Sequence, residues 1–149
     1  MAASLDRYDH ALLAALVEDS TRTNAELSEL VKLSPSQCSR RRTRLEADGF
    51  ITGYGARLDE NTMGYALRAI TRVTLGTHSA KMDDSFGNFL NAHEEVQSAY
   101  SVTGDADYVL IIVTRDLEAF ARFIHRELLP HPTVSQVRSE IVLLTLKRG

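Results

Sequence analysis

The sequence predicts an α+β chain: a winged helix-turn-helix over residues 1–51, a strand and linker over 52–64, and a ferredoxin-like βαββαβ domain over 65–149. Three observations predict it. Before Phe50 the apolar residues recur at helical spacing. The stretch "LSPSQCSRRRTRLEADGF" (Leu33–Phe50) combines a helix start, a glycine stop and a basic run between them. After Tyr65, apolar strand runs alternate with amphipathic helical ones in the order βαββαβ, which packs two helices on one face of an antiparallel sheet.

The first helix is read from "LDRYDHALLAALVED", where Tyr8, Leu12 and Leu16 form a stripe flanked by Leu5, Ala11 and Ala15. Asp6 and Asp9 stand at its N-cap and N3 positions. Thr23 and Glu26 form a capping-box pattern that opens the second helix, with Leu27, Leu30 and Val31 expected inward. A short turn at Lys32–Leu33 follows. Ser34 then reads as an N-cap, Pro35 as the first helical residue and Gln37 as the reciprocal partner three residues on. The third helix should run to Asp48 and stop at Gly49, which can adopt the left-handed conformation. "FITGYGARLDE" alternates like a wing strand.

In the second domain, Tyr65–Gly76 reads as a strand, and Met82, Phe86, Phe89 and Leu90 mark a helix. "VQSAYSVTGDADYVLIIVT" is two strands about a Gly-Asp turn. Asp116 caps a helix carrying Leu117, Phe120, Phe123, Ile124 and Leu128, and Pro130 and Pro132 end it. "VSQVRSEIVLLTLK" is the last strand. The run "YVLIIVT" is apolar on both faces. The sheet face without helices therefore carries Val109, Ile111 and Val113 or their neighbours, and covering it requires a partner sheet.

With 149 residues and 44% hydrophobic content, the chain suffices for one ordinary domain or two small ones. No apolar run reaches the ~18 residues that span a bilayer, so no membrane partner is expected. The start "MAASLDRYDH" lacks a charged-then-apolar leader, and a single cysteine, Cys38, excludes an internal disulfide; both fit a cytoplasmic setting. The net charge of −3 argues against a protein that is basic overall. Its distribution matters more: Lys32, Arg40, Arg41, Arg42 and Arg44 fall in one stretch without an acidic residue. Counterion release depends on the phosphates contacted and not on total charge, so this face can still bind DNA.

On a wheel of about 100° per residue, Cys38, Arg42 and Leu45 share one stripe of the third helix. Ser36, Gln37, Arg40, Thr43 and Arg44 point the other way. That is the geometry of a recognition helix in the major groove. Gln can pair with adenine and Arg with guanine, while Ser34, Ser36 and the first backbone N–H groups can hold phosphate. The DNA-binding candidates are Ser34, Ser36, Gln37, Arg40, Arg41, Thr43 and Arg44, and the partner is double-stranded DNA. Arg42 stands where an apolar residue is expected. Its stem should pack while its head escapes to the rim or meets an acidic neighbour. Cys38 should be a small buried hydrophobe.

The chain resembles the Lrp/AsnC, or feast/famine, bacterial transcription regulators over nearly its whole length. The resemblance rests on "LDRYDHALLAAL", "NAELSELVKLSPSQCSRR", "RLEADGFITGYGARLD" and "VTGDADYVL". It implies an N-terminal winged helix and a C-terminal ferredoxin-like RAM domain. It also implies homodimers that build higher rings, commonly octamers, and a small-molecule effector, usually an amino acid, bound at RAM interfaces. Two places depart from the pattern: Arg42 replaces the usual apolar residue, and "LPHPTV" stands where a proline is usually followed by glycine and valine.

The turn "GDADY" is first a hairpin, with Gly104 and Asp105 supplying turn conformations and Tyr108 opening a strand. Exposed N–H groups beside two carboxylates can also grip a zwitterion. The resemblance carries effector binding onto Gly104, Asp105, Asp107 and Tyr108, and onto Ser139 of the last strand.

An enzyme of amino-acid metabolism, or a small-molecule-binding module without DNA binding, is the competing class. There is no G-x-S-x-G elbow, Walker loop or G-x-G-x-x-G, so no catalytic residue and no cofactor are expected. His10, His78, His93, His125 and His131 lack metal-ligand spacing, so no metal is expected either. An interaction module would leave the Ser34–Arg44 constellation without a role.

Overall fold

The computed structural model describes residues 4–76 and 80–147, with backbone only at 80–83, so His78 and the side chain of Met82 lie outside the described residues. The chain divides into two compact units, Met1–Arg57 and Leu58–Gly149.

The first unit holds α1 (Arg7–Glu18), α2 (Asn24–Val31) and α3 (Pro35–Ala47). Each begins with a capping box, formed by Asp6 and Asp9, Thr23 and Glu26, and Ser34 and Gln37. These reciprocal bonds satisfy helix-start N–H groups that have no partner inside the helix. Lys32, at φ 58°, turns the chain out of α2 in the left-handed conformation. Gly49, at φ 78°, ends α3; its N–H donates to Glu46 O (3.1 Å), and Phe50 N–H donates to Leu45 O (2.9 Å). This pair of bonds is a Schellman closure. Leu12, Ala15, Leu16, Leu27, Val31, Cys38 and Leu45 form the core.

Two expectations fail in this unit. Leu30 is exposed: α2 has only eight residues, and its single buried stripe is filled by Leu27 and Val31. Residues 51–59 carry no regular secondary structure, so the expected wing strand does not form. A strand needs a ladder partner for its N–H and C=O groups, and the described residues of this unit contain no strand to supply one.

The second unit holds β1 (Leu67–Leu75), α4 (Ala80–Ala92), β2 (Val96–Ser101), β3 (Tyr108–Thr114), α5 (Leu117–Phe123) and β4 (Val134–Ile141). One turn of π-helix, Ile124–Leu128, extends α5. The antiparallel sheet runs β2-β3-β1-β4, the ferredoxin-like order predicted from the βαββαβ pattern. The register Thr71↔Leu110 and Ala69↔Ile112 sets one face. On it Ala69, Val73, Leu75, Leu110 and Ile112 pack against Phe86 and Leu90 of α4, Phe120 and Phe123 of α5, and Ile124 and Leu128 of its π-turn. Leu117 stays exposed, on the first turn after the Asp116 cap. The opposite face carries Arg68, Ile70 and Arg72 of β1 and Val109, Ile111 and Val113 of β3, as the alternation requires.

β4 stops at Ile141 and does not reach Lys147 as expected. The bond from Val142 N–H to Arg68 O (2.9 Å) falls beside the start of β1. Past that point β1 no longer runs alongside, and Leu143, Leu144 and Leu146 are exposed.

Candidate DNA-reading helix and effector loop

The short turn from Lys32 to Ser34 sets α3 against the core through Cys38 and Leu45, both fully buried. The opposite face of the helix leaves Ser36, Gln37, Arg40, Thr43 and Arg44 exposed, the set that the wheel turned outward, and the N-cap Ser34 is exposed beside them. Burial pushes the Cys38 thiol above its ordinary pKa against the opposing pull of Arg41. Gln37, Arg40, Arg41 and Arg44 line a shallow depression of about 230 Å³. Arg40 has no hydrogen bond or ion pair among the described residues, so its guanidinium faces solvent with all its donors available.

Several of the expected DNA contacts are engaged inside the protein. Gln37 Oε1 accepts the Ser34 N–H at 3.0 Å, while the Gln37 N–H donates to Ser34 Oγ at 3.2 Å. A bidentate reading of adenine needs that oxygen, so Gln37 must leave the capping box to make it. Arg41 is only half-exposed; its Nη1 donates to Asp6 Oδ2 (2.7 Å) and Asp9 Oδ1 (2.8 Å). Arg44 Nη2 donates to Asp9 Oδ2 at 2.5 Å, and its side chain remains 46% exposed.

Asp9 was legible as a helix cap, but its second role was missed. It is fully buried, on the same stripe as Leu12 and Leu16. An acidic residue on an inner stripe was the available signal, because a buried carboxylate requires partners. Burial raises its pKa, but the Asp6 N–H, Arg41 and Arg44 outweigh that and hold the carboxyl at about 2.

Arg42 behaves as its position on the inner stripe implied. Its side chain is 25% exposed, and its Nε donates to Glu46 Oε1 (3.3 Å) and to Tyr54 Oη (2.8 Å). The guanidinium lies 4.6 Å from the Tyr54 ring centroid. Tyr54 Oη donates to Glu46 Oε1 at 2.6 Å, and burial together with this bond raises the phenol pKa. Tyr54, read only as part of a strand, is thus tied to α3 in place of a strand partner.

In the second unit, the loop between β2 and β3 contains Gly104 at φ 114°, the conformation that a side chain would strain. The Val102 N–H donates to Asp107 O and the Asp107 N–H to Val73 O, each at 3.0 Å. Asp107 Oδ2 accepts the Leu75 N–H at 2.7 Å. Asp107 is therefore part of the frame that closes the end of β1. Asp105 is exposed, and its carboxylate has no partner among the described residues. Tyr108 is half-buried, edge-on to Phe86 at 5.2 Å between centroids. Ser139 sits on β4 opposite Thr71, with their hydroxyls 3.0 Å apart. β1 lies between it and the strand that Tyr108 opens, so the fold does not bring Ser139 onto the loop. Among the described residues no group of three or more His, Cys, Asp or Glu is arranged to hold a metal. No described helix is long and apolar enough to cross a membrane.

Comparison with known proteins bears on both elements. Residues 5–46 match the AsnC-type helix-turn-helix domain, and residues 68–149 match the Lrp/AsnC ligand binding domain. The chain is 35% identical over 148 residues to the transcriptional regulator AzlB of Bacillus subtilis, covering 99% of this chain and 94% of that one. It is 34% identical over 145 residues to the leucine-responsive regulatory protein of Escherichia coli, covering 97% and 88%. Among solved structures, a transcriptional regulator of Neisseria meningitidis in complex with L-Met superposes with a TM-score of 0.94 at 35% identity, covering 97% of this chain and 94% of that one. An AsnC family regulator of Agrobacterium tumefaciens gives 0.90 at 30% identity, with the same coverage. A DNA-reading helix-turn-helix joined to a four-stranded ligand-binding domain, matched over almost the full length, makes this chain a member of the Lrp/AsnC family of transcription regulators.

Proposed function

We propose that this protein binds specific duplex DNA through the outward face of α3, and that a small molecule, an amino acid, bound at the Gly104–Tyr108 loop between copies of the chain modulates that binding. The observation that carries the DNA reading is the exposed row Ser34, Ser36, Gln37, Arg40, Thr43 and Arg44 on a helix that follows a short turn. Arg40 supplies charge to phosphate; Arg44, Thr43 and Gln37, once released from its cap, reach base edges. The Neisseria meningitidis relative holds L-Met, which supports an amino acid as the class of effector. A zwitterion needs an acceptor for its ammonium and donors for its carboxylate. Asp105 supplies an exposed carboxylate, and the backbone about Gly104 supplies N–H groups. Asp107 and Tyr108 hold the loop in shape, and Ser139 enters only through a neighbouring copy. The assembly is a homodimer, built further into a ring such as an octamer.

A gel shift with the duplex upstream of the protein's own coding sequence tests the DNA reading. Loss of the shift in an Arg40→Ala/Arg44→Ala double variant supports it, and an unchanged shift and salt dependence would put the docking surface elsewhere. A thermal-shift screen against the common amino acids tests the effector, because a ligand of the folded state raises stability by RT ln(1 + [L]/Kd). A protein indifferent to all of them would remove the effector reading.

A further inference from the structure

Two carboxylates at the start of α1 restrain part of the basic run on α3. Asp6 and Asp9 stand at the start of α1, where the helix dipole favours negative charge. Both oxygens of Asp9 are in use: Oδ1 accepts from Arg41, and Oδ2 accepts from Arg44 and from the Asp6 N–H at 3.0 Å. Arg41 Nη1 bridges Asp9 and Asp6, and its guanidinium lies 5.5 Å from the Tyr8 ring centroid. The two carboxylates balance the formal charge of Arg41 and Arg44. Of the cationic side chains around the depression on α3, Arg40 alone carries no counter-charge among the described residues.

An arginine held in one direction and a free arginine do different things at DNA. A free guanidinium seeks phosphate, which every sequence offers; a fixed one can be aimed at a base edge. The Asp9 side chain is 1% exposed, so its ion pairs are little screened, and removing one partner leaves a buried charge uncompensated. We infer that Asp9 is a specificity-determining positioning residue: it withholds Arg41 from phosphate and fixes the direction of Arg44, limiting sequence-independent attraction so that base reading decides. Arg41 is on this account a structural member of α3 and not a DNA contact. The inference rests on α3 being the DNA-reading helix.

The test uses the full chain and two duplexes of equal length and composition: one recovered by the wild type from a random-sequence pool, the other with its sequence shuffled. Affinity is measured against salt concentration for wild type, Asp9→Asn, Arg41→Gln and Arg40→Gln, with circular dichroism on each variant. Each phosphate contact contributes about 0.9 to the slope of log affinity against log salt. Arg41→Gln, which leaves Asp9 still paired with Arg44 and the Asp6 N–H, is expected to keep the wild-type slope on both duplexes. Arg40→Gln should lower it by about one. Asp9→Asn should bind the shuffled duplex more tightly, steepen its slope by about one, and lower the ratio of selected to shuffled affinity by about tenfold. If Asp9→Asn does not fold, Arg41→Gln decides alone. A slope lowered in Arg41→Gln as much as in Arg40→Gln makes Arg41 a phosphate contact and overturns the inference, as does a folded Asp9→Asn with wild-type slope and ratio. An unchanged slope in Arg40→Gln removes α3 itself as the docking helix, and the inference falls with it.

Discussion

Asp107 closes the end of β1: its Oδ2 accepts the backbone N–H of Leu75 at 2.7 Å, across a gap of 32 residues in sequence. Leu75 is buried, so this N–H has no ready exchange with water. Replacing Asp107 by alanine should destabilise the second domain by about 1–3 kcal/mol, the cost of leaving a buried donor unpaired. Asp107→Asn keeps an acceptor oxygen and should lose much less. Urea unfolding of both variants measures the difference, and equal stability of wild type and Asp107→Ala would remove the structural role.

Asp105, two residues earlier, should behave in the opposite way. Asp105→Asn is expected to leave unfolding unchanged, since its exposed carboxylate has no partner among the described residues. It should abolish the thermal shift given by the best amino acid in the screen. A variant that keeps the full shift would move the ammonium acceptor to another residue.

Acid should weaken the first domain through Asp9. Its carboxyl is held at about 2 in the folded chain against an ordinary value of 3.8. Between those values the unfolded state binds more protons, so the stabilisation is fully present above about pH 4 and is lost as pH falls towards 2. A shift of this size corresponds to about 2 kcal/mol. Unfolding followed from pH 5 downwards should show this loss in wild type and not in Asp9→Asn; parallel curves would contradict it.

The Cys38 thiol should be inert in the folded protein. It is fully buried, and burial raises its pKa above the ordinary 9.0. Thiolate is the reacting form, so both access and ionisation are suppressed. Labelling by a thiol reagent across a denaturant series should follow the unfolded fraction. Rapid labelling in the absence of denaturant would show that α3 opens locally.

The sheet face opposite the helices should be a subunit contact. Val109 and Ile111 of β3 and Ile70 of β1 lie on it half-buried, with no element of the chain's own helical layer against them. A charge placed there costs little in a monomer and much in a packed interface. Light scattering should report a dimer or larger for wild type and a smaller species for Ile111→Asp. A wild-type monomer at micromolar concentration would exclude the contact.

Much of the architecture was legible from local chemistry. Capping boxes join residues three apart, and the glycine stop and the Asp116 cap are equally short-range, so Ser34, Gln37, Gly49 and Asp116 could be placed from the chain alone. The outward row on α3 followed from helical period, and the βαββαβ order from the change of period after Tyr65. The tertiary structure decided what depends on distant partners. Alternation in residues 51–59 could not reveal that they pair with no strand among the described residues, and the end of β4 depends on where β1 begins. The arginines of α3 looked alike in sequence. Packing α1 against α3 is what joins Asp9 to Arg41 and Arg44, 32 and 35 positions away, and leaves Arg40 facing solvent. A buried carboxylate must find counter-charge wherever the fold supplies it, and only the assembled core determines which arginines those are.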